Sequence, residues 1–130
     1  MTEALLMIGH GSRAEEANAG MFSVAAGIRE AGEVPIVECG FLQLNSPTIE
    51  EAFDRCVEQG AERVLMIPYF LHMGVHIRED IPAVVESCRE KYPQVEILLG
   101  DQLGGDPLLA RIVLNRFREM REAGMEGEIS

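Results

Sequence analysis

Short apolar runs recur at four places along the chain, each bounded by glycine, proline or charged residues. The runs cover residues 4–8, 35–41, 63–67 and 95–99. Runs of this length with such flanking residues are typical of β-strands that are buried on both faces. The pattern therefore predicts four strands of a parallel sheet.

The longer stretches between these runs carry apolar residues three and four positions apart, which is the spacing of one helix face. The first helix is predicted over 15–31 and ends at Gly32. The second is predicted to begin with Ser46 as its N-cap and Pro47 as its first helical residue. Its apolar stripe is the clearest in the chain and consists of Ile49, Ala52, Phe53, Cys56 and Val57.

Two more helices are predicted in the second half of the chain. A loop over 69–77 precedes a helix that is capped by Asp80 and holds Pro82 in its first turn, where the missing N–H breaks no hydrogen bond. The last helix follows Asp106-Pro107, and residues 122–130 are predicted to be a frayed, acidic tail. The residues of the last helix that are predicted to face inward are Leu109, Ile112, Val113, Phe117 and Met120.

The alternation of strands and helices predicts a single α/β domain over residues 1–121, with helices on both faces of a four-stranded parallel sheet. Right-handed crossovers with short loops favour the strand order 2-1-3-4. In this order the first and third strands are neighbours and the winding of the chain reverses between them. Ligands of such sheets bind in the crevice beyond the carboxyl ends of those two strands.

Composition agrees with a single domain and narrows the class of protein. The 130 residues are 47% hydrophobic, which is enough for one core. The start MTEALLMIGHGSR lacks the basic segment of a signal peptide, and no apolar run is long enough to span a bilayer. We therefore expect a cytoplasmic protein with no membrane partner. Three widely spaced cysteines, Cys39, Cys56 and Cys88, are expected to be buried free thiols rather than metal ligands.

The net charge of −11 argues against nucleic acid as a partner. Arg13 and Arg78 are the cations expected at the crevice. Each arginine either binds an anionic ligand or pairs with a neighbouring carboxylate of its own segment, and the sequence leaves both roles open.

All three histidines are predicted to lie at the crevice. His10 follows the first strand, and His72 and His76 lie in the loop after the third. Imidazole is the commonest metal ligand in proteins, and its unperturbed pKa of about 6.5 also makes it a proton acceptor near neutral pH. His10 and His76 are therefore the main candidates for handling a divalent metal, and His72 is either an accessory ligand or a solvated loop residue.

Four longer segments carry a resemblance to a known family. GHGSR follows the first strand, FLQLNSPTIEEA the second and PYFLHMGVHIREDIP the third, and LGGDPLLARIVLNR precedes the end. In this order and spacing they resemble the single-domain sirohydrochlorin cobaltochelatases of the class II chelatases, whose fold is a chelatase-like, flavodoxin-like half-unit. The combination of GHGSR with HxxxDIP is the most specific part of the resemblance.

The resemblance implies that His10 and His76 bind the metal and catalyse its insertion into a sirohydrochlorin-type tetrapyrrole for cobalamin biosynthesis. It implies Co(II) as the metal substrate, with Ni(II) or Fe(II) possible, and no further cofactor. It also implies a homodimer, in which two facing crevices enclose one large substrate. The residues expected to contact the substrate are Ser12, Arg13, Phe70, Leu71, Met73, Gly74 and Arg78.

Two positions depart from the family pattern, and they leave the metal preference open. Gln43 stands where the family often has glutamate, and no histidine lies near Gly105. The alternatives are a sirohydrochlorin ferrochelatase, a nickelchelatase, or a protein that binds a divalent metal without catalysis. Nucleotide binding and serine catalysis are disfavoured, because the GHGSR loop has neither the glycine spacing of a nucleotide site nor a nucleophile elbow around Ser12.

Overall fold

The computed structural model describes residues 1–126, with side-chain burial described as far as residue 124. The strands are β1 (Glu3–Gly9), β2 (Ile36–Phe41), β3 (Arg63–Pro68) and β4 (Glu96–Leu99). The helices are α1 (Glu15–Ala31), α2 (Ile49–Glu58), α3 (Val75–Lys91) and α4 (Leu108–Glu126). No helix within the described residues is long and apolar enough to cross a membrane.

The four strands form one parallel sheet in the order β2-β1-β3-β4, so the predicted fold class and strand order are confirmed. β1 lies at the centre, where its Ile8 pairs with Gly40 of β2 and with Pro68 of β3. The reversal of winding therefore lies between β1 and β3, as the sequence predicts.

Helices cover the two faces of the sheet unequally. The larger core lies between the sheet and helices α2 and α3, and it includes the predicted stripe of α2. The smaller core lies under α1, which packs mainly against β1 and β2. Burial of these apolar side chains is the main favourable term in the folding free energy.

Helix α2 begins two residues later than predicted. Its N-cap is Thr48, whose side chain accepts a hydrogen bond from the Glu51 N–H while the Glu51 carboxylate accepts one from the Thr48 N–H. These hydrogen bonds lower the pKa of Glu51. Pro47 is not helical because its carbonyl accepts a hydrogen bond from the N–H of Phe41 at the end of β2. The prediction of Ser46 as N-cap and Pro47 as first helical residue was therefore wrong.

Helix α3 begins at Val75 with Gly74 as its N-cap, so the predicted loop over 69–77 and the predicted cap at Asp80 were wrong. Pro82 lies inside the helix rather than in its first turn. The early start allows Ile77 to pack against the larger core. We attribute the extra helical residues to this apolar contact, which outweighs the hydrogen bond that proline cannot donate.

Helix α4 differs most from the prediction. From Leu108 to Gly124 every side chain is exposed except Leu109 and Ala123, which are half-buried. The predicted inward-facing residues Val113, Phe117 and Met120 are 66%, 54% and 58% exposed. Periodicity identifies an apolar face but cannot show which surface covers it, and within the described residues α4 contributes to neither core.

The predicted frayed tail lies partly within α4. The helix continues to Glu126, so residues 122–126 are helical, and residues 127–130 lie outside the described residues. Residues 121–126 contain no proline and only one glycine, so nothing in them ends the helix earlier.

The three cysteines are buried free thiols, as predicted. Burial raises the pKa of Cys56 to about 12 and that of Cys88 to about 11, and it raises the pKa of Cys39 as well. Since the thiolate is the reactive form, we expect iodoacetamide at pH 8 to leave all three unmodified in the folded protein. In urea the same treatment should add three labels by mass spectrometry. Labelling of the folded protein as fast as in urea would contradict this burial.

Candidate active site

The candidate site lies at the carboxyl edge of the sheet, where β1 and β3 end side by side. The N–H of Tyr69 donates to the carbonyl of Ile8 at 2.8 Å, which extends the pairing of the two strands beyond Pro68. His10 follows β1 and the segment 69–74 follows β3, so the topology brings both to one edge. This is the edge at which open α/β sheets bind ligands.

The backbone around His10 is held by the segment that follows β2. The carbonyl of Gly9 accepts from the N–H of Leu42 at 2.9 Å, and the carbonyl of His10 accepts from the N–H of Gln43 at 3.1 Å. Gly11 adopts a φ of 100°, and a side chain there would overlap the carbonyl oxygen of Gln43. The loop that presents His10 is therefore set in place before any ligand binds.

Ser12 completes this loop through its backbone rather than as a nucleophile. Its N–H donates to the Asn45 side-chain oxygen at 2.6 Å, and its hydroxyl oxygen accepts from the N–H of Ala14 at 3.1 Å. The hydroxyl proton makes no hydrogen bond among the described residues, so Ser12 keeps one donor for a ligand.

The imidazole of His10 is exposed but has two neighbours. The Gln43 side-chain nitrogen lies 3.2 Å from Nε2, and the Phe70 ring stands edge-on with its centroid 6.3 Å away. An amide N–H is a donor, so with this orientation of Gln43 the ring accepts at Nε2 and carries its proton on Nδ1. The one lone pair of the neutral ring is thereby engaged by the Gln43 amide, which must move aside before this nitrogen binds a metal or a proton.

A cavity of about 400 Å³ opens beside His10, a volume within the usual range for small-molecule sites. The predicted residues Ser12 and Phe70 line it together with His10. Its remaining lining residues are Gly9, Gly11, Ala17, Asn18, Met21, Phe41 and Tyr69. The lining combines apolar side chains such as Met21 and Phe41 with polar ones such as Asn18, a mixture that suits a ring system with polar substituents.

The other two histidines lie at the same edge but do not line this cavity. His76 is the second residue of α3 and His72 precedes that helix, and both side chains are exposed. Within residues 1–126 no three side chains of the kinds that bind metals gather into one group. A single chain therefore does not arrange its three histidines as a closed, structural type of metal site.

The remaining predicted contact residues fall into three kinds. Leu71 is exposed in the segment after β3, whereas Met73 is half-buried and packs against the larger core. Gly74 caps α3. Arg13 and Arg78 are exposed, and within the described residues neither forms an ion pair.

Two helices begin at this edge with uncapped backbone donors. Neither the N-cap Ala14 of α1 nor the N-cap Gly74 of α3 makes a side-chain capping hydrogen bond. The first N–H groups of a helix carry partial positive charge. Together with the two arginines they supply local positive character on a chain with a net charge of −11.

The sequence does not predict Asn45 as a site residue, and it does not predict the contact between Gln43 and His10. Both side chains come from the irregular segment between β2 and α2, where Leu44 has a φ of 67°. No periodicity covers such a segment. The sequence Asn45-Ser-Pro indicates a turn, but it does not indicate which residue the asparagine side chain contacts.

Comparison with known proteins decides the family. The sequence profile of the CbiX family matches residues 4–120. The chain belongs to the CbiX family. The resemblance to the small class II chelatases that the sequence motifs predict is thereby confirmed.

The curated relatives of this CbiX chain are named for two different metals, iron and cobalt. The sirohydrochlorin ferrochelatase of Priestia megaterium is 38% identical over 117 residues, which cover 90% of this chain and 44% of that relative. The sirohydrochlorin cobaltochelatase of Methanopyrus kandleri is 31% identical over 136 residues, covering 89% of this chain and 95% of that relative.

A crystal structure shows the same fold in a longer protein. The sirohydrochlorin chelatase SirB from Bacillus subtilis subspecies spizizenii, in complex with cobalt, aligns with a TM-score of 0.85 and 32% identity, covering 92% of this chain and 51% of that one. The chain thus spans about half the length of SirB and less than half of the Priestia ferrochelatase.

Proposed function

We propose that this chain inserts a divalent metal ion, Co²⁺ in the first instance, into sirohydrochlorin, and that it does so as a homodimer. The observation that carries the proposal is His10. It stands on a loop fixed by hydrogen bonds, beside a cavity at the point where the winding of the sheet reverses. Relatives named for the insertion of cobalt and of iron into sirohydrochlorin support it.

Metal insertion exchanges two pyrrole N–H protons for one metal ion, so the site must both deliver a metal and accept protons. We assign these roles to His10 and His76. One imidazole holds the incoming ion loosely through a ring nitrogen. The other accepts one of the two pyrrole protons as the tetrapyrrole nitrogens capture the metal, and the second proton passes to solvent. An open set of few ligands suits a metal that must leave the protein.

The substrate contacts follow from the lining of the cavity. Phe70 offers an aromatic face beside His10, and Ser12 offers a hydroxyl donor. Arg13, Arg78 and the uncapped starts of α1 and α3 are the groups we assign to the substrate carboxylates. They counter locally the repulsion between a polyanionic substrate and an acidic protein.

The choice of Co²⁺ over Fe²⁺ rests on the donor set. Imidazole nitrogens bind divalent metals in the order Fe²⁺ < Co²⁺ < Ni²⁺, so a two-histidine site captures cobalt from solution more readily than ferrous iron. Iron is the second candidate, because the curated relatives at 38% and 34% identity are both named ferrochelatases. The carboxamide of Gln43 leaves the ligand set without an anionic oxygen beside His10.

The homodimer follows from the size of the site. The cavity of about 400 Å³ is open on one side, and a tetrapyrrole with many carboxylates extends beyond it. A two-fold dimer places a second, identical crevice against the first. The length of SirB, about twice that of this chain, is consistent with two such units working together.

The proposed activity is tested by incubating the purified protein with sirohydrochlorin and with Co²⁺, Fe²⁺ or Ni²⁺ in turn, under anaerobic conditions. We expect the visible spectrum to change to that of the metallated ring faster than with no protein, and fastest with Co²⁺. A protein that binds the metals but leaves the rate of spectral change at the protein-free value is a non-catalytic metal carrier, and this result would overturn the proposal.

A further inference from the structure

Leu44 combines a strained backbone with an exposed apolar side chain. Its φ is 67°, in the left-handed region that favours glycine and asparagine. The side chain is 60% exposed, and within the described residues it belongs to neither core. Both features oppose folding, because a Cβ strains this conformation and the apolar surface stays in water. The stability of the domain therefore does not account for a leucine at this position.

The turn around Leu44 explains its backbone but not its side chain. The N–H of Asn45 donates to the carbonyl of Gln43 at 2.8 Å, which closes a γ-turn with Leu44 at its centre. The turn presents the Gln43 side chain to the His10 ring. It also presents the Asn45 side chain to the N–H of Ser12. Glycine would form the same turn without strain, so the leucine side chain requires a separate reason.

Leu71 is a second exposed leucine at the same edge of the sheet, and its backbone is held as well. Its side chain is 65% exposed. The N–H of Leu103 donates to the carbonyl of Phe70, the preceding residue, at 2.9 Å. A side chain at Gly104 would overlap the carbonyl of Leu71, so the connection between β4 and α4 lies directly against this backbone. The backbone of Leu71 is therefore fixed while its side chain stays exposed.

The two leucines flank the imidazole of His10. Leu44 follows Gln43, whose side-chain nitrogen lies 3.2 Å from the ring nitrogen. Leu71 follows Phe70, whose ring centroid lies 6.3 Å from that of His10. Since β1 lies between β2 and β3, the leucines follow the strands on either side of the one that His10 follows. Neither leucine lines the cavity beside His10, so both lie on its outer rim.

We propose that Leu44, together with Leu71, contacts the broad face of the tetrapyrrole outside the cavity. This inference rests on the proposed function and adds a substrate-contacting residue to it. The faces of a tetrapyrrole ring are apolar, whereas the carboxylates of this substrate lie at the edge of its ring. Leucines on fixed backbones offer apolar contact at a small cost in conformational entropy, because the backbone is already ordered before the ligand binds.

The first test measures the binding of sirohydrochlorin without metal, by titration followed in the visible spectrum. Leu44→Ala keeps the Cβ and its strain but removes most of the apolar side chain. We expect the Kd to rise about tenfold, the effect of losing part of a leucine contact. Leu44→Met, which restores an apolar side chain of similar volume, should return the Kd to within about twofold of wild type.

Val24→Ala is the matched control for the binding test. Val24 is also apolar and 41% exposed, but it lies on α1 away from the lining of the cavity. Its replacement should leave the Kd unchanged. A wild-type Kd for Leu44→Ala, or an equal loss of affinity in Val24→Ala, would overturn the proposal.

Leu44→Gly separates the side chain from the strain. It should bind sirohydrochlorin as weakly as Leu44→Ala, because both variants lack the apolar contact. It should unfold at a higher urea concentration than Leu44→Ala, because glycine adopts the positive φ without strain. Wild-type affinity in Leu44→Gly would show that the substrate does not use the side chain.

The insertion assay and the molecular mass distinguish contact with the substrate from two other roles. For Leu44→Ala we expect the KM for sirohydrochlorin to rise about tenfold, with kcat and the KM for Co²⁺ unchanged. A fall in kcat alone would show that Leu44 acts through the His10 loop. A changed mass in light scattering would assign Leu44 to a contact between chains. Either result would overturn the proposal.

The two proposals fail separately, because the binding test does not require metal insertion. Weaker binding in Leu44→Ala, with no metallation by the wild-type protein, would support the contact and refute the proposed activity. Metallation by Leu44→Ala at the wild-type KM would refute the contact alone. Wild-type protein that binds no sirohydrochlorin would refute both.

Discussion

Alanine at position 10 is expected to slow metal insertion at least about 100-fold, the lower end of what a positioned proton acceptor contributes. The substitution removes the ring whose Nε2 lies 3.2 Å from the Gln43 amide, and with it a ligand for the incoming metal. The fold should be unaffected because His10 is exposed and belongs to neither core. Initial rates are followed in the visible spectrum, and the unfolding midpoint is followed by circular dichroism.

His76→Ala should cause a loss of similar size, since we assign the second imidazole to this residue. His72→Ala is the comparison variant, because that side chain is also exposed and lies only four positions away. A rate within about twofold of wild type for His72→Ala would exclude it as a ligand, and a loss equal to that of His10→Ala would include it. A wild-type rate for His10→Ala would remove His10 from the mechanism.

The sheet could be predicted because its strands are short, apolar and separated by well-marked helices. The run from Ala4 to Ile8 has no polar residue, which marks β1 as a central strand covered on both faces. Strand order followed from handedness and loop length rather than from any single residue. Once the order was right, the placement of His10 beside the segment after β3 followed from it.

The start of α3 could not be predicted by local rules alone. Asp80 and Pro82 have the composition of a helix start, and Gly74 has that of a loop. The helix begins at Val75 because Ile77 gains a contact with the larger core, and that contact comes from distant parts of the chain. The consequence for the site is that His76 is held on the first turn of a helix and His72 is not.

The surroundings of His10 could not be predicted for a related reason. Asn45 and Gln43 act through single hydrogen bonds across 33 residues of sequence, and neither bond leaves a periodic trace. Helix α4 shows the converse. Its apolar face was evident from the sequence, but the sequence did not show that this face would be exposed. Local patterns show which faces are apolar, and tertiary contacts decide what those faces meet.

Alanine at position 11 is expected to destabilise the domain by about 2 to 4 kcal/mol and to abolish most of the insertion activity. Gly11 has a φ of 100°, which an alanine adopts only with strain, and the added methyl group would overlap the Gln43 carbonyl. To relieve that overlap the Gln43 backbone must shift, which disturbs its hydrogen bonds to the His10 carbonyl and to the Asn45 N–H. The substitution should therefore displace the His10 loop and destabilise the domain at the same time.

Gly20→Ala is the matched control for this prediction, because it is the same chemical change in the middle of α1 with open space around it. It should raise stability by about 0.5 to 1 kcal/mol, since alanine loses less backbone entropy in a helix, and it should leave insertion unchanged. Urea unfolding measures both variants on one scale, and the spectral assay measures both rates. If Gly11→Ala matched Gly20→Ala in stability and rate, the loop around His10 would not be fixed by its contacts with the segment after β2. That result would refute the conclusion that the site is preorganised.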